Sequence, residues 1–533
     1  MVNNSDKDKN KVEEVNKNKV EVKPVQIRPA QAPHFRRIIE ILSRDYGYLD
    51  VSPLGSGKTH LTYGVASAFK LNVMVICPVG AVSNWMRCAK MYGINLLGIM
   101  SYETLRGQSG KVSHNLLEVV GEEYRATEVF DQCVKSGLLL VFDEYHRVKN
   151  ENTQLASAHA LVKSLVRLVR MGYKARVALL SGTPCEQKES VTSTFKMLGI
   201  ILSDQLYEYN RSSKVYNLIG IQEAISKCNE YDPNETLSIA CRTINRTTAK
   251  TICYDLYTRV LKRFAVSSMP PPENMPEKDA KNYYIIMPAE DVERMKKGVL
   301  LFKSATNYNE ITKEINVQGN NWGDVTKSRR EIDASKIPSV CRISDEQLLA
   351  DPNCKVLIYC NYTKDILYAT AKLAKYNPIV IYGKINKTAE RDRLINLFQE
   401  DNNHHRVLIT NPKVGGMAIE LDDKIGTHPR HTYILPSYFF SDQHQVTGRT
   451  WRDGTKSKST IRFIYSRAFP YESGILDSMA KKSNVVRNMV TEEHEKLIFP
   501  GEYEELIELT PDEIAANKKV KENTPPAVTV VTV

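Results

Sequence analysis

The stretch LLLVFDEYHRVKN, residues 138–150, sets five apolar side chains ahead of two adjacent acids, Asp143 and Glu144, and follows them with His146, Arg147, Lys149 and Asn150. A short unbroken apolar run reads as a strand buried on both faces, as in a parallel sheet covered by helices. A carboxylate costs free energy to bury unless a metal or hydrogen-bond donors compensate it. A strand that ends on two acids is therefore either emptying into a solvated acidic turn, or holding its carboxylates at the edge of a sheet where α/β folds bind ligands.

The rest of the chain favours the second reading. Further short apolar runs recur: VMVIC (73–77), VALLS (177–181), VLIYC (356–360), PIVIY (378–382), RVLIT (406–410), HTYIL (431–435) and TIRFIY (460–465). Between them lie stretches with helical character at 58–70, 364–375 and 388–400, the last with Thr388 as a candidate cap. Such alternation predicts α/β units. The runs fall into one cluster before residue 205 and another after residue 350, which predicts two α/β lobes. Between the clusters, SSMPPPENMPEKD (267–279) carries consecutive prolines and excludes helix or central strand.

The totals bound the function without naming it. The chain has 533 residues, 42% hydrophobic and 25% charged, ordinary for a globular protein with large cores. Its formal charge of +11 is compatible with a nucleic-acid partner but does not require one. The 10 cysteines contain no C-x-x-C pair, so neither a zinc ribbon nor a disulfide framework is indicated, and reduced intracellular thiols are expected. The polar N-terminus lacks a secretory h-region, and no apolar run approaches membrane-spanning length.

SPLGSGKTH (52–60) supplies the partner that the acids need. Gly55 and Gly57 let the backbone wrap phosphate oxygens, with Ser56 between them. Lys58 brings positive charge to the outer phosphates, the Thr59 hydroxyl can bind Mg²⁺, and the helix that opens there, with His60 in its first turn, adds its dipole. Ser52 stands where the strict pattern has glycine. A phosphate loop requires a second site that completes the metal shell and activates water. Asp143 fits the first task and Glu144 the second, as general base.

With these residues in place the resemblance becomes specific. DEYHRVKN resembles the D-E-x-H-R-[IV]-K-N string of Swi/Snf-type DNA translocases, within motif II of the superfamily 2 helicases. IRPAQAPHF (27–35) resembles the segment ahead of the phosphate loop, with Gln31 a candidate adenine reader. CPVGAVSNW (77–85), MSYETLR (100–106) and SGTP (181–184) resemble motifs Ia, Ib and III. CKVLIYCNYTKDI (354–366), YGKINKTAERDRLINLFQED (382–401) and VLITNPKVGGMAIELDD (407–423) resemble motif IV, a Swi/Snf segment and motif V. QVTGRTWRDG (445–454) matches motif VI at every fixed place, and its spacing predicts Gln445, Arg449 and Arg452 on one helical face. In motif V, Ala418 and Glu420 replace the usual Gly and Asn. LDDKIGTHPRHTYILPSYF (421–439), with D-x-x-G-x-x-P-R before a strand, is similar to large DNA virus helicases and the strawberry-notch group.

The resemblance implies two RecA-like lobes, each a mostly parallel sheet covered by helices, with an ATP cleft between them. In its terms residues 1–24 are a disordered polar tail, 25–205 the ATP-binding lobe, 206–345 a connecting region with the start of lobe two, 346–490 the helicase C-terminal lobe and 491–533 an extension and tail. ATP and Mg²⁺ are the implied cofactors, with Thr59 and Asp143 on the metal. His146 with Ser181 and Thr183 would couple the site to the rest of the lobe, Gln445 would contact nucleotide, and Arg449 and Arg452 would act as arginine fingers. Trp451 would pack between lobes or stack on a base. The implied activity is ATP-driven translocation along or unwinding of DNA, in viral transcription or its termination. RNA is the alternative substrate, and a non-catalytic helicase-fold subunit of a transcription complex is a third reading. An RNA polymerase or transcription complex is the implied partner and no membrane is. The expected place is intracellular, in a cytoplasmic virus factory or virion if viral, or the host nucleus.

Overall fold

The structure is a computed structural model, which describes residues 23–508 and 510, apart from 109–110, 149–152, 246–247, 271–273, 310–313, 320, 384–387, 413–418, 438, 468–471, 496 and 499–504. The expected terminal tails, Lys149, Asn150 and Ala418 lie outside the described residues. The chain divides between Pro272 and Glu273, and Asn484–Ile498 returns to the first unit.

Each apolar run of the first cluster becomes a strand. In chain order the first unit contains β1 (Gly47–Asp50), β2 (Asn72–Ile76), β3 (Leu96–Met100), β4 (Leu138–Asp143), β5 (Ala175–Leu180) and the two-residue β6 (Val266–Ser267). They form one sheet in the order β6-β1-β5-β4-β2-β3, and every pair is parallel. Leu138 to Phe142 are fully buried, as a strand with helices on both faces must be. Helices α1 (Ala32–Arg44), α2 (Lys58–Phe69) and α3 (Val82–Tyr92) contribute Ile38, Ile41, Leu61, Val65, Trp85 and Cys88 to the core, packed with Val73, Val75, Leu139 and Val141. Further along the chain, α4 (Thr153–Arg170) links β4 to β5. Because all six strands run the same way, the loops after β1, β4 and β5 emerge at one edge, and these loops carry the phosphate loop, DEYH and SGTP.

The second unit contains β7 (Lys278–Ile285), β8 (Lys355–Tyr359), β9 (Ile379–Ile381), β10 (Val407–Thr410), β11 (Arg430–Ile434), β12 (Ser459–Ser466) and β13 (Glu505–Ile507), ordered β9-β10-β8-β11-β12-β7-β13 and parallel throughout. Its helices include α5 (Ala289–Ala305), the long α6 (Trp322–Ala350), α7 (Thr363–Lys372), α8 (Thr388–Gln399) and α9 (Phe440–Thr447). The main sheet of each unit is therefore all parallel and flanked by helices, the RecA-like arrangement expected.

The proline-rich stretch needs one correction. Both of its ends carry strand: Ser267 belongs to β6, and Lys278 opens β7, an interior strand between β12 and β13. KDAKNYYI lacks an apolar run because only Ala280, Asn282 and Ile285 are buried along it, so it is recruited by its neighbours rather than by its own hydrophobicity. Thr388 begins α8 as its first residue rather than preceding it as the cap.

The second unit buries a chain of charges beside the carboxyl end of β8. The fully buried Lys336 on α6 donates to Glu472 Oε1 at 2.5 Å, and Glu472 Oε2 accepts the Ser466 amide at 2.6 Å. Asp333, one helical turn back, lies 3.8 Å from Lys336 and accepts from Asn361 Nδ2 at 2.8 Å. Asp365 on α7 is the group left over. Burial raises its carboxyl, Asp333 raises it further, and it reaches about 7. A carboxyl raised in the folded state stabilises fully below its unfolded pKa and loses that contribution as pH rises through the folded value. Asp365→Asn should therefore stabilise this unit more at pH 8 than at pH 5, the gain growing by about 2 kcal/mol. Urea unfolding of both proteins at the two pH values checks this, and a pH-independent difference would contradict it.

Candidate nucleotide site

The phosphate loop begins where β1 ends. Gly55 and Gly57 hold φ of +76° and +92°, the left-handed region that glycine enters at no steric cost. At Gly57 the restriction is double, because a Cβ would lie 3.0 Å from Gln31 Nε2 and 3.3 Å from Arg28 Nη2. Lys58, the first residue of α2, donates to the carbonyls of Ser52 (2.9 Å) and Pro53 (3.1 Å), and Ser56 Oγ donates to Pro53 O at 2.7 Å. Gln31 lies against this loop. Its Nε2 donates to Ser56 O at 3.1 Å, its Oε1 accepts the Arg28 amide at 3.2 Å, and Arg28 Nη2 reaches Ser56 O at 3.3 Å. Arg28 was not singled out by the motif reading, although IRPAQ contains it. His60 turns its Nδ1 to the Tyr92 hydroxyl at 2.7 Å, and burial, with Arg87 and Arg28 nearby, lowers its pKa so that the ring is neutral at pH 7.

The carboxylates sit two strands away, at the end of β4. Asp143 Oδ2 accepts from the indole nitrogen of Trp85 at 2.8 Å, and its carbonyl accepts from the Tyr102 hydroxyl at 2.8 Å. Both donors come from the stretches expected as motifs Ia and Ib, Trp85 from α3 and Tyr102 from the first residue of a short helix. Neither was anticipated as a support for Asp143, and CPVGAVSNW and MSYETLR were the available signals. Burial first, and then the Asp143 charge, raise the Tyr102 hydroxyl far above its usual range, so it remains a donor. Glu144 holds φ +52°, a left-handed conformation costly for a side chain of this size and typical of functional turns. Its Oε2 lies 3.4 Å from His146 Nδ1, which is also 2.9 Å from Ser181 Oγ. Ser181 Oγ accepts the Thr183 amide at 3.1 Å, and the Ser181 amide donates to Asp50 O at 3.0 Å. The first unit thus brings Gln31, the loop from Ser52 to Thr59, Asp143, Glu144, His146, Ser181 and Thr183 to one sheet edge.

This donor set fits Mg²⁺. The ion prefers oxygen ligands and takes only one or two from protein when phosphates supply others. Among the described residues the Thr59 hydroxyl has no hydrogen-bond partner, Asp143 supplies a carboxylate, and no group of three or more His, Cys, Asp or Glu forms a metal cage.

The second unit holds the motif VI residues, with one correction. Gln445 lies on α9, but the helix ends at Thr447, so Arg449 and Arg452 occupy the turn beyond and not the same helical face. Gly448 closes the helix, its amide bonding to Gln445 O and that of Arg449 to Val446 O, while Arg449 O is taken by the Leu421 amide at 3.0 Å. Arg452 Nη2 lies 3.3 Å from Glu420 Oε1. Trp451 is engaged inside this unit, its indole donating to Pro276 O at 2.8 Å beneath the Lys278 ammonium.

The D-x-x-G-x-x-P-R string acquires a physical reason. Asp423 accepts the amides of Ile425 (3.0 Å), Gly426 (2.9 Å) and His428 (2.9 Å), and Gly426 holds φ +105°. Buried Arg430 donates to Leu421 O and His428 O at 2.9 Å and to Gln399 Oε1 at 2.8 Å. The string pins the backbone that presents Glu420.

Gly57→Ala should reduce ATP affinity more than tenfold, since Cβ would strain the backbone and press on Gln31. Fluorescent-nucleotide titration reads this, and unchanged affinity would remove Gly57 from the site.

No family model matches the chain. It is 26% identical over 467 residues to the Acanthamoeba polyphaga mimivirus protein named "Putative ATP-dependent RNA helicase L364", covering 85% of this chain and 82% of that one. It is also similar to two structures of the Sulfolobus solfataricus SWI2/SNF2 ATPase core. The one in complex with double-stranded DNA shows 15% identity, 89% and 97% coverage and a TM-score of 0.28, and the other 16%, 90% and 95%, and 0.29. With its motifs in order on two parallel sheets and this viral relative along most of its length, the chain is similar to the Swi/Snf-like helicases and ATPases of superfamily 2.

Proposed function

We propose that the protein is a nucleic-acid-dependent ATPase that moves along DNA. The observation that supports it most is the convergence at one sheet edge of Lys58, Asp143 and Glu144, with Asp143 held by Trp85 and Tyr102. In this reading the loop from Ser52 to Thr59 binds the phosphates of ATP, and Gln31 with Arg28 orders the loop beside the base. Thr59 and Asp143 would hold Mg²⁺, which would neutralise phosphate charge. Glu144 takes the proton of the attacking water, its backbone held in a left-handed turn at the end of the strand. His146 and Ser181 link that acid to the SGTP turn. Arg449 and Arg452 are the cations offered to the charge that spreads over the γ-phosphate in the transition state.

DNA is favoured by DEYHRVKN and YETLR, the Swi/Snf-type strings. The mimivirus relative carries the name of an RNA helicase, which favours RNA as the second reading. Backbone phosphates rather than bases would be gripped in either case, so sequence preference should be slight. A part in viral transcription or its termination, with a transcription complex as partner, is the proposed setting.

ATP hydrolysis without nucleic acid and with single-stranded DNA, duplex DNA and RNA tests the reading. Duplex DNA should stimulate most. Stimulation by RNA alone would move the assignment to the second reading, and no hydrolysis at all would leave a helicase fold used for binding. Glu144→Gln should keep ATP affinity and lower kcat by about a thousandfold, within the usual range of general-base removal. Arg452→Ala should lower kcat by a similar factor, about a thousandfold, with ATP affinity little changed. Equal loss of affinity in either variant would point to a binding role instead.

A further inference from the structure

Beneath the phosphate loop, inside the first unit, lies a buried polar array of which only Ser52 belongs to the nucleotide site. His34, Asp50, Ser52 and Ser267 are each less than 5% exposed. His34 Nδ1 is 2.6 Å from Ser267 Oγ, and its Nε2 is 3.3 Å from Asp50 Oδ2 and 3.4 Å from Ser52 Oγ. Nε2 donates to the carboxylate, and Nδ1 shares a hydrogen bond with the Ser267 hydroxyl. Asp50 Oδ1 accepts the Ser52 amide at 2.8 Å. Burial alone would raise the Asp50 carboxyl, but the His34 charge and hydrogen bond outweigh it and the pKa falls below its ordinary value.

Three distant pieces of chain meet here. His34 and Gln31 come from the start of α1, Asp50 and Ser52 from the entry to the phosphate loop, and Ser267 with Met269 from the last described residues before the unit boundary. The Met269 amide donates to Ser52 Oγ at 2.8 Å, Gln31 Nε2 lies 3.4 Å from Met269 Sδ, and the Val51 amide donates to Ser267 O at 2.9 Å. With two residues, β6 pairs only Val266 and Ser267 with β1, too little backbone bonding to fix the segment alone. Side chains from around the phosphate loop fix it. Ser52 gains a meaning that glycine in that place would lack, because its hydroxyl is the acceptor for Met269. Gln31 bonds to Ser56 of the loop and touches Met269, so a shift at one is felt at the other.

We propose that His34 is a positioning residue which, with Ser52 and Ser267, latches the phosphate loop to Val266–Met269, so that nucleotide occupancy is passed to the chain leaving the first unit. This rests on the phosphate-loop reading above. Amide hydrogen exchange of the full chain with and without Mg·ADP, together with ATPase kinetics with and without duplex DNA, tests it. Mg·ADP should slow exchange across 266–269 in the wild type. Ser267→Ala should bind Mg·ADP with little change, lose that protection, and lose about tenfold of the DNA stimulation of kcat with KM for ATP unchanged, a factor equal to one hydrogen bond. His34→Gln, which retains a donor and an acceptor, should recover part of what His34→Ala loses. Unaltered exchange in a wild type that binds Mg·ADP, or a Ser267→Ala protein with protection and stimulation intact, overturns the latch alone. A wild type that binds no Mg·ADP overturns the phosphate-loop reading and the latch with it, and direct nucleotide titration separates the two failures.

Discussion

The hydrogen bond from the Trp85 indole to Asp143 is the contact on which the first unit's edge depends. A strand as apolar as β4 cannot deliver a carboxylate to its end unless something there compensates the burial. Water would do so and leave the acid mobile. Here an indole N–H does it at 2.8 Å, from a residue that is itself wholly buried between α3 and the sheet. Trp85 makes an edge-to-face contact with Tyr63 on α2, the helix that Lys58 and Thr59 open, and the Tyr63 hydroxyl donates to Trp85 O. The acid, the helix behind the phosphate loop and the core are thus joined through one side chain, and displacement of any of them disturbs the others.

Much of this was legible in the sequence, for a physical reason. A parallel strand covered on both faces must be apolar along its whole length, so VMVIC, LLLVF, VLIYC and RVLIT announce themselves. Their common direction then places every following loop at one edge, which is why motifs read from a string assemble in space. What escaped the reading lacks that signature. Strand β7 presents polar residues between buried ones and owes its place to β12. Trp85 and Tyr102 act on Asp143 across the sheet, and no spacing in the sequence encodes a contact between the ends of neighbouring strands. The helical face predicted for Gln445, Arg449 and Arg452 failed because Gly448 and the Leu421 amide stop α9 one turn early.

Two departures from the family pattern, Ser52 and Glu420, are tied into the structure rather than left loose. Ser52, in a glycine's place, carries the hydroxyl that receives the Met269 amide. Glu420, in an asparagine's place, faces Arg452. Ser52 brings a hydroxyl that glycine lacks, Glu420 brings a charge that asparagine lacks, and a specific partner meets each. Decay of an unused site would be expected to leave such atoms without matching partners.

Two arginines of the second unit show how differently the same side chain is used. Arg430 is 2% exposed and spends its guanidinium on three carbonyls and an amide oxygen, so its charge is committed to the backbone around Asp423. Removing it would strand those acceptors in the interior. Arg452 meets Glu420, whose side chain is nearly half exposed. An ion pair of that kind contributes about 0–1 kcal/mol in water. It orients the guanidinium without holding it against a stronger anion. Under the proposed function, where Arg452 would engage a transient phosphate charge, it would be aimed by a weak partner on a loop made rigid by a strongly bound arginine. The D-x-x-G-x-x-P-R string supplies the rigidity, and Glu420 supplies the aim.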